Sequence, residues 1–391
     1  MRFSWIVIHL CVQISSSQLF EDGEFDSREL GAPGNIMDES NNDRYSLRDE
    51  PRVSITDVPE WPNKEALHNL GDISASAPLD EQGRDVLVLH RGDREWNLRT
   101  FDEHNVLRDQ SKGPIKDGVL ALLHKGALQE TSLPNTFYMP HGLTVDLEGN
   151  IWVTDVGLHQ VFKFSPDKTQ LMVLGEKFKP GNDSEHFCKP THVAVASTGD
   201  FFVSDGYCNS RIIKFRSDGT LITQWGEKVR NPETPGPYEL NIPHELVLLE
   251  DSDTLCVADR ENHRVVCYCA GLTPETEHLA GEYRYELSEP GPVYGVAVSP
   301  AANALVILVN QNNEQGPVDI RLYDLDTGER LGILADENEG YGKAHTVSAC
   351  TLDSEQGCII VNSLNKAGQQ KDSRSKPVRR RLWFYEVQAI E

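Results

Sequence analysis

Three histidines recur in the chain at nearly equal intervals. His141 and His244 are 103 residues apart, and His244 and His345 are 101 residues apart. Neutral imidazoles are common zinc ligands, and three of them around an open fourth position form a typical catalytic zinc site. Zinc held in this way could act as a Lewis acid or lower the pKa of a bound hydroxyl. Histidines at such positions could instead line a water-filled channel. The secondary structure that positions them distinguishes between these two interpretations.

Polar turns supply a second group of residues that could do chemistry. They are Arg91-Gly92-Asp93, Asp205-Gly206-Tyr207-Cys208-Asn209 and Asp259-Arg260-Glu261-Asn262. The two arginines could each bind a carboxylate through two hydrogen bonds, and a tyrosine beside a cation and arginines would ionise below its usual pKa of about 10. Alternatively, the aspartates and asparagines form structural turns, and the arginines make surface ion pairs.

Internal repeats predict how these residues are positioned. Short alternating apolar runs begin at Pro140, Pro190 and Pro243, at spacings of 50 and 53 residues, and each ends in an aspartate before a turn. Weaker copies begin near Ala77, Val293 and His345, and an alternating strand, Arg381 to Val387, closes the last copy. Six copies of a four-strand unit predict an all-β fold, a six-bladed β-propeller with NHL-like repeats. A β-sandwich does not repeat such a unit.

The predicted ring determines where the three histidines lie relative to one another. Each lies immediately before a predicted innermost strand, and they occur in every second copy. Alternate blades of a six-bladed ring are related by about 120°, so equivalent inner-strand residues converge on the central axis. The sequence therefore predicts that His141, His244 and His345 form a zinc site in the channel.

The N-terminal region differs in composition from the rest. Residues 1–17 contain one early charge, Arg2, an apolar run and small serines, which is typical of a secretory signal peptide. Residues 18–60 are rich in acidic and polar residues and are predicted to be a disordered leader, and residues 61–391 to be the propeller. No apolar run approaches the roughly 20 residues of a spanning helix, so we expect a secreted or lumenal protein. The net charge of −24 argues against nucleic acid as a partner.

Cysteines support the same compartment, because close pairs oxidise there. We favour the pairs Cys188 with Cys208 and Cys256 with Cys267, since each would join neighbouring strands or the two ends of one turn. The sequence does not assign partners to Cys269, Cys350 and Cys358. A glycosylation sequon begins at Asn182 in a polar loop.

Several motifs together resemble one family. They are Phe137 to Leu143 (FYMPHGL), Trp152 to Phe164 (WVTDVGLHQVFKF), Ser204 to Arg211 (SDGYCNSR) and Leu255 to Asn262 (LCVADREN). From about Asp85 to Val361 the chain is similar to peptidyl-α-hydroxyglycine α-amidating lyases. The resemblance implies a six-bladed propeller whose channel zinc is held by His141, His244 and His345. It also implies that Tyr207 is the base, that Arg91 and Arg260 lie in the active site, and that the two favoured cysteine pairs are disulfides.

The family's reaction converts a peptidyl-α-hydroxyglycine into a C-terminally amidated peptide and glyoxylate, and it needs no redox cofactor. Its substrate would come from a copper monooxygenase, which must be a separate protein because this chain has no counterpart of it. We expect a monomer. The alternative is a catalytically impaired, lyase-like secreted propeller that binds peptides or proteins.

One segment departs from the family's pattern. Where the family has Met-Pro-His-Asp, this chain has Lys343-Ala344-His345-Thr346. The family's aspartate is a calcium ligand, together with backbone carbonyls that correspond to Leu143 and a residue near Ala77. Thr346 has no charge to offer a hard cation, which puts calcium binding in doubt. Lys343 would weaken zinc binding unless it points away from the metal.

Overall fold

The computed structural model describes residues 52–63, 65–80, 82–310, 318–335, 344–353, 355–364 and 381–390. The predicted signal peptide, most of the predicted leader, and Lys343 lie outside the described residues. Within the described ranges, no helix is long and apolar enough to cross a membrane.

The described residues form six antiparallel four-stranded sheets, the blades. Strand β1 (Val53–Asp57) precedes the first blade, which contains β2 (Ile73–Pro78), β3 (Asp85–His90), β4 (Leu120–His124) and β5 (Ala127–Ser132). The second blade contains β6 (Pro140–Val145), β7 (Ile151–Asp155), β8 (Gln160–Phe164) and β9 (Gln170–Leu174). The third contains β10 (Pro190–Val195), β11 (Phe201–Asp205), β12 (Arg211–Phe215) and β13 (Leu221–Trp225).

A short parallel pair, β14 (Glu227–Lys228) and β15 (Glu239–Leu240), precedes the fourth blade. That blade contains β16 (Pro243–Leu249), β17 (Thr254–Asp259), β18 (Arg264–Cys269) and β19 (Tyr283–Ser288). The fifth contains β20 (Val293–Ser299), β21 (Ala304–Asn310), β22 (Val318–Asp324) and β23 (Arg330–Ala335). The sixth contains β24 (Ala344–Thr351), β25 (Gln356–Ser363), β26 (Leu382–Ala389) and β1. Short 3₁₀ helices are Gln110–Lys112, Glu250–Ser252, Arg260–Asn262 and Glu277–Leu279.

The burial pattern explains why the repeats have their composition. The second strand of a blade is covered on both faces by neighbouring blades, so β7 and β11 are buried along their whole length. The outer strands β9 and β13 are partly exposed and carry polar residues. The innermost strands contact one another in chain order, and β24 also contacts β2, which closes the ring. The predicted six-bladed propeller is confirmed.

Buried aspartates fix the entry into the innermost strands. The Asp155 carboxylate accepts hydrogen bonds from the backbone N–H groups of Tyr138 and Met139, directly before β6. The Asp259 carboxylate accepts one from the N–H of Asn241, before β16. Asp259 therefore has a structural role of the kind considered as an alternative above, and both aspartates hold the backbone that leads to the first two histidines.

The sixth blade shows that the propeller begins earlier than residue 61. Strand β1 pairs antiparallel with β26, and Val53 is buried among residues of the fifth and sixth blades. The predicted leader, residues 18–60, therefore overlaps the propeller at β1. The alternation of Val53 and Ile55 is short, and the acidic composition around it hid this strand from the sequence analysis.

The disulfides extend the prediction. Cys188–Cys208 and Cys256–Cys267 are both present, as predicted. A third disulfide joins Cys350 to Cys358, which face each other across β24 and β25. Buried Cys269 keeps its thiol, 3.7 Å from the Asp253 carboxylate.

Removing β1 should destabilise the protein. A chain that begins at residue 61 loses the outer strand of the sixth blade and exposes the surface that Val53 covers. Compared with a chain that begins at residue 50, we expect the free energy of unfolding to fall by about 3 kcal/mol or more. Chemical denaturation of the two chains measures this difference, and equal stabilities would show that β1 contributes nothing to ring closure.

Candidate metal and catalytic site

The ring brings the three predicted histidines together on its axis. His141, His244 and His345 are the second residues of β6, β16 and β24, the innermost strands of alternate blades. All three are buried, and one ligand atom from each lies within 4.8 Å of the others. Their ring centroids are 4.7 to 5.0 Å apart. The phase predicted from the repeats thus corresponds to a compact cluster of imidazoles.

Each imidazole is oriented by the blade that follows it. The Nδ1 atoms of His141, His244 and His345 lie 2.9, 2.6 and 2.7 Å from the backbone carbonyls of Thr191, Tyr294 and Ser74. A carbonyl only accepts, so Nδ1 carries the hydrogen and donates it. The Nε2 lone pairs are then left for the channel axis.

The donor set fits a divalent metal ion. The His345 Nε2 atom is buried and has no hydrogen-bond partner among the described residues. A buried acceptor without a partner is costly, and a metal ion would satisfy it. Three neutral imidazoles whose second nitrogens donate to carbonyls are the usual arrangement at zinc.

Electrostatics keep these histidines neutral. Burial lowers the pKa of all three well below the usual value for histidine. Repulsion between the histidines and from the nearby Arg91 and Arg260 guanidinium groups lowers these pKa values further. Neutral imidazole is the form that binds a metal, so protons do not compete with a cation near neutral pH.

Tyr207 lies against two of the histidines. Its hydroxyl is 3.0 Å from Nε2 of His141 and 3.3 Å from Nε2 of His244. Burial raises its pKa, and this effect exceeds the opposing effect of the Arg260 and Arg91 charges. Burial thus opposes the lowered pKa that the sequence analysis expects for a tyrosine beside a cation and arginines, and that expectation stays a prediction.

The two predicted arginines flank Tyr207. Arg91 is buried and follows β3, and its Nε donates to the carbonyl of Pro140 at 3.1 Å. The Arg91 Nη2 atom has no hydrogen-bond partner within the described ranges. Arg260 begins a 3₁₀ helix after β17, and its guanidinium carbon lies 5.5 Å from the Tyr207 ring centroid. Both cations therefore face the same side of the histidine cluster as the phenol.

A tryptophan that the sequence analysis missed completes this side. The Trp96 ring lies 4.7 Å from the Tyr207 ring and 6.3 Å from the His141 ring, centroid to centroid. The Arg91 guanidinium lies 5.3 Å from the Trp96 centroid. Trp96 belongs to the connection between β3 and β4, which is outside the repeat pattern. The length of that connection was the one signal that could have indicated it.

The donors do not fit the implied calcium site. Ala77 lies on β2 and Leu143 on β6, but the Leu143 carbonyl accepts a hydrogen bond from His192. The uncharged Thr346 hydroxyl is hydrogen-bonded to Asn362. A hard cation takes six to eight oxygen ligands and prefers carboxylates, which these groups do not supply.

Asn182 lies exposed in the connection between β9 and β10. That position leaves its side chain accessible, and its glycosylation stays a prediction.

Metal binding can be tested on the histidines themselves. We expect about one zinc ion per chain. His244→Ala should lower zinc affinity by at least about 100-fold, because losing even a residue that only hydrogen-bonds a metal ligand lowers metal affinity by about 10- to 100-fold. Metal content by mass spectrometry and competition with a chromogenic chelator measure this. His278→Ala, at an exposed histidine far along the chain, is the control that should keep its zinc. Equal zinc content in all three proteins would place the metal elsewhere.

Comparison with known proteins identifies a repeat family and named relatives. Residues 137–164, 187–215 and 240–268 match the NHL repeat family model. Peptidyl-alpha-hydroxyglycine alpha-amidating lyase 2 of Drosophila melanogaster is 44% identical over 266 residues, which are 67% of this chain and 62% of that protein. A probable lyase of the same name from Caenorhabditis elegans is 44% identical over 68% of this chain and 74% of its own length.

A longer relative matches in part. The peptidyl-glycine alpha-amidating monooxygenase of Mus musculus is 36% identical over 78% of this chain and 30% of its own length. This chain thus spans less than two thirds of the Drosophila relative and less than one third of the mouse relative. Because the chain is 44% identical to the nematode lyase and spans 74% of its length, it belongs to the peptidyl-α-hydroxyglycine α-amidating lyase family.

Proposed function

We propose that this protein cleaves peptidyl-α-hydroxyglycine into a peptide amide and glyoxylate, with zinc held by His141, His244 and His345. The observation that carries the proposal is the position of the Tyr207 hydroxyl, within 3.3 Å of two histidine Nε2 atoms. A base and a metal site at that separation can act together on the α-hydroxyl group of the substrate. Family membership supports the same reaction class.

The substrate has three groups that need partners. They are a carboxylate, a hydroxyl on the α-carbon, and the amide nitrogen that leaves. Arg91 has a buried Nη2 donor without a described partner, and we assign the carboxylate to it. A charge-assisted hydrogen bond in a buried site is strong and would orient the α-carbon toward the histidines.

Tyr207 has the position of the general base. As a phenolate it would take the proton of the α-hydroxyl; the oxygen electrons then form the aldehyde carbonyl while the bond between the α-carbon and nitrogen breaks. The leaving amide nitrogen takes this proton from the Tyr207 phenol, so the products are a peptide amide and glyoxylate and the phenolate is restored. Zinc bound at the histidines would supply a Lewis acid for the hydroxyl and a positive charge that lowers the pKa of the neighbouring phenol.

Arg260 contributes positive charge to the same phenol. Its guanidinium lies over both the Tyr207 ring and the Tyr294 ring, at 5.5 and 4.9 Å. It lowers the pKa of Tyr207 against the effect of burial. Arg260 would therefore stabilise the phenolate without having to contact the substrate.

We extend the proposal to the compartment and the substrate's source. Three disulfides fit an oxidising compartment, so we propose that the protein acts in the secretory lumen or outside the cell. The mouse relative is named a monooxygenase, and this chain matches 30% of it. We propose that a separate copper monooxygenase makes the hydroxyglycine substrate.

The proposal predicts that Tyr207→Phe loses activity but keeps zinc. Removing a general base costs about 10²- to 10⁴-fold in kcat, while the three histidines remain. Glyoxylate release from a synthetic peptidyl-α-hydroxyglycine measures activity, and metal content is determined on the same samples.

Tyr283→Phe, at a partly exposed tyrosine on β19, is the matched control and should be fully active. Folded, zinc-loaded wild-type protein that releases no glyoxylate would overturn the proposal. The chain would then be the binding propeller considered as the alternative, and peptide binding would be measured next.

A further inference from the structure

A second layer of side chains lies one residue beyond the histidines. The second residues of the innermost strands are the three histidines and the three residues whose carbonyls orient them. The third residues of these strands, in ring order, are Ala75, Gly142, His192, Glu245, Gly295 and Thr346. Two of these are buried ionisable groups with no part in the proposed reaction, and they lie in neighbouring blades.

Glu245 links three blades. It is 4% exposed, and its Oε2 accepts hydrogen bonds from the N–H of Val296 at 3.1 Å and the N–H of Val347 at 3.3 Å. The carboxylate of the fourth blade thus reaches the innermost strands of the fifth and sixth. A Cβ atom at Gly295 would lie 2.6 Å from this oxygen, so the strand between must carry glycine there.

His192 continues the connection in the other direction. Its Nδ1 accepts the N–H of Leu246 on β16 at 3.3 Å. Nδ1 is therefore the unprotonated nitrogen, and Nε2 carries the hydrogen. Nε2 lies 3.4 Å from the Thr144 hydroxyl, and the imidazole donates to the Leu143 carbonyl on β6. His192 thereby joins the second, third and fourth blades.

Two further contacts close the circle. Thr346 is hydrogen-bonded to Asn362, whose side-chain amide donates to the Ile73 carbonyl at 3.1 Å. This joins the sixth blade to the first. Arg91 donates to the Pro140 carbonyl and so joins the first blade to the second. Together with Arg91, these side chains connect all six blades, and the bonds to Ile73 and Pro140 reach the first residues of β2 and β6, one residue before the histidine layer.

We infer that this chain holds its channel together with a belt of hydrogen bonds, centred on Glu245 and His192, in place of the calcium ion that the family resemblance implies. The belt is defined as Glu245, His192, Thr346, Asn362 and their backbone partners. Its two central groups also face each other, because His192 Nε2 lies 3.8 Å from Glu245 Oε1. The Oε2 atom of Glu245 faces two N–H donors, which a cation would have to displace.

The belt also gives Glu245 a positioning role. It follows zinc-site residue His244 directly, and its acceptor Oε2 binds the N–H of Val347, two residues after His345. One carboxylate therefore fixes the backbone of two of the three histidines relative to each other. This inference does not depend on the lyase reaction, because it concerns stability and calcium.

The test compares thermal unfolding with and without calcium. Zinc-loaded protein is dialysed against resin-treated, calcium-free buffer, and its Tm is measured before and after addition of 5 mM calcium chloride. We expect a Tm shift below about 2 °C and no stoichiometric calcium by mass spectrometry. Glu245→Ala leaves two buried N–H groups without an acceptor, so its Tm should fall by about 4 °C or more, with no recovery in calcium.

Two further variants make the result unambiguous. Glu245→Gln keeps a side-chain oxygen that can accept both N–H groups, so it should lose less than Glu245→Ala, and it remains informative if the alanine variant fails to fold. Exposed Glu282→Ala is the control and should match wild type. A calcium-dependent rise in wild-type Tm of 2 °C or more that Glu245→Gln abolishes would make Glu245 a cation ligand and overturn the inference. An unchanged Tm in Glu245→Ala would overturn it as well.

Discussion

The hydrogen bonds from the three histidine Nδ1 atoms to the carbonyls of the next blade are the constraint on which the site depends. Each one joins an even-numbered blade to the odd-numbered blade that follows it, at 2.6 to 2.9 Å. Because the acceptors are backbone groups of innermost strands, the spacing of the blades sets both the tautomer and the direction of every imidazole. A change in ring diameter would therefore disturb the ligands before it disturbed the core of any one blade.

The layer beneath meets a different physical demand. A buried carboxylate such as Glu245 is costly unless it is hydrogen-bonded, and burial raises its pKa well above the usual value. The N–H groups of Val296 and Val347 offset this cost. Because they belong to the fifth and sixth blades, the side chain of Glu245 also connects the fourth blade to both. The histidine layer and the layer below it thus use the same device, a side chain from one innermost strand that bonds to the backbone of another.

The repeat spacing was enough to predict the ring and the convergence of His141, His244 and His345, because both follow from periodicity alone. Features that depend on contacts between distant parts of the chain were not predictable in this way. The carbonyl that orients His345 belongs to Ser74, 271 residues away. Strand β1 became recognisable only through its pairing with β26. Trp96 lies in a connection that belongs to no repeat. The direction of the Tyr207 pKa required a comparison of burial with charge, which composition does not provide.

Arg91 and Arg260 have the same electrostatic effect on two kinds of group. Their positive charge lowers the pKa values of the histidines, which favours the neutral ligand form, and it opposes the effect of burial on the pKa of Tyr207. At Tyr207 the effect of burial on the pKa exceeds that of the arginines, so the arginines alone do not yield a phenolate. Under the proposed function, a further positive charge at the histidine Nε2 atoms, 3.0 to 3.3 Å from the phenol oxygen, would be needed to reverse that balance. Metal binding and activation of the base would then be one event, because the same two imidazoles contact both.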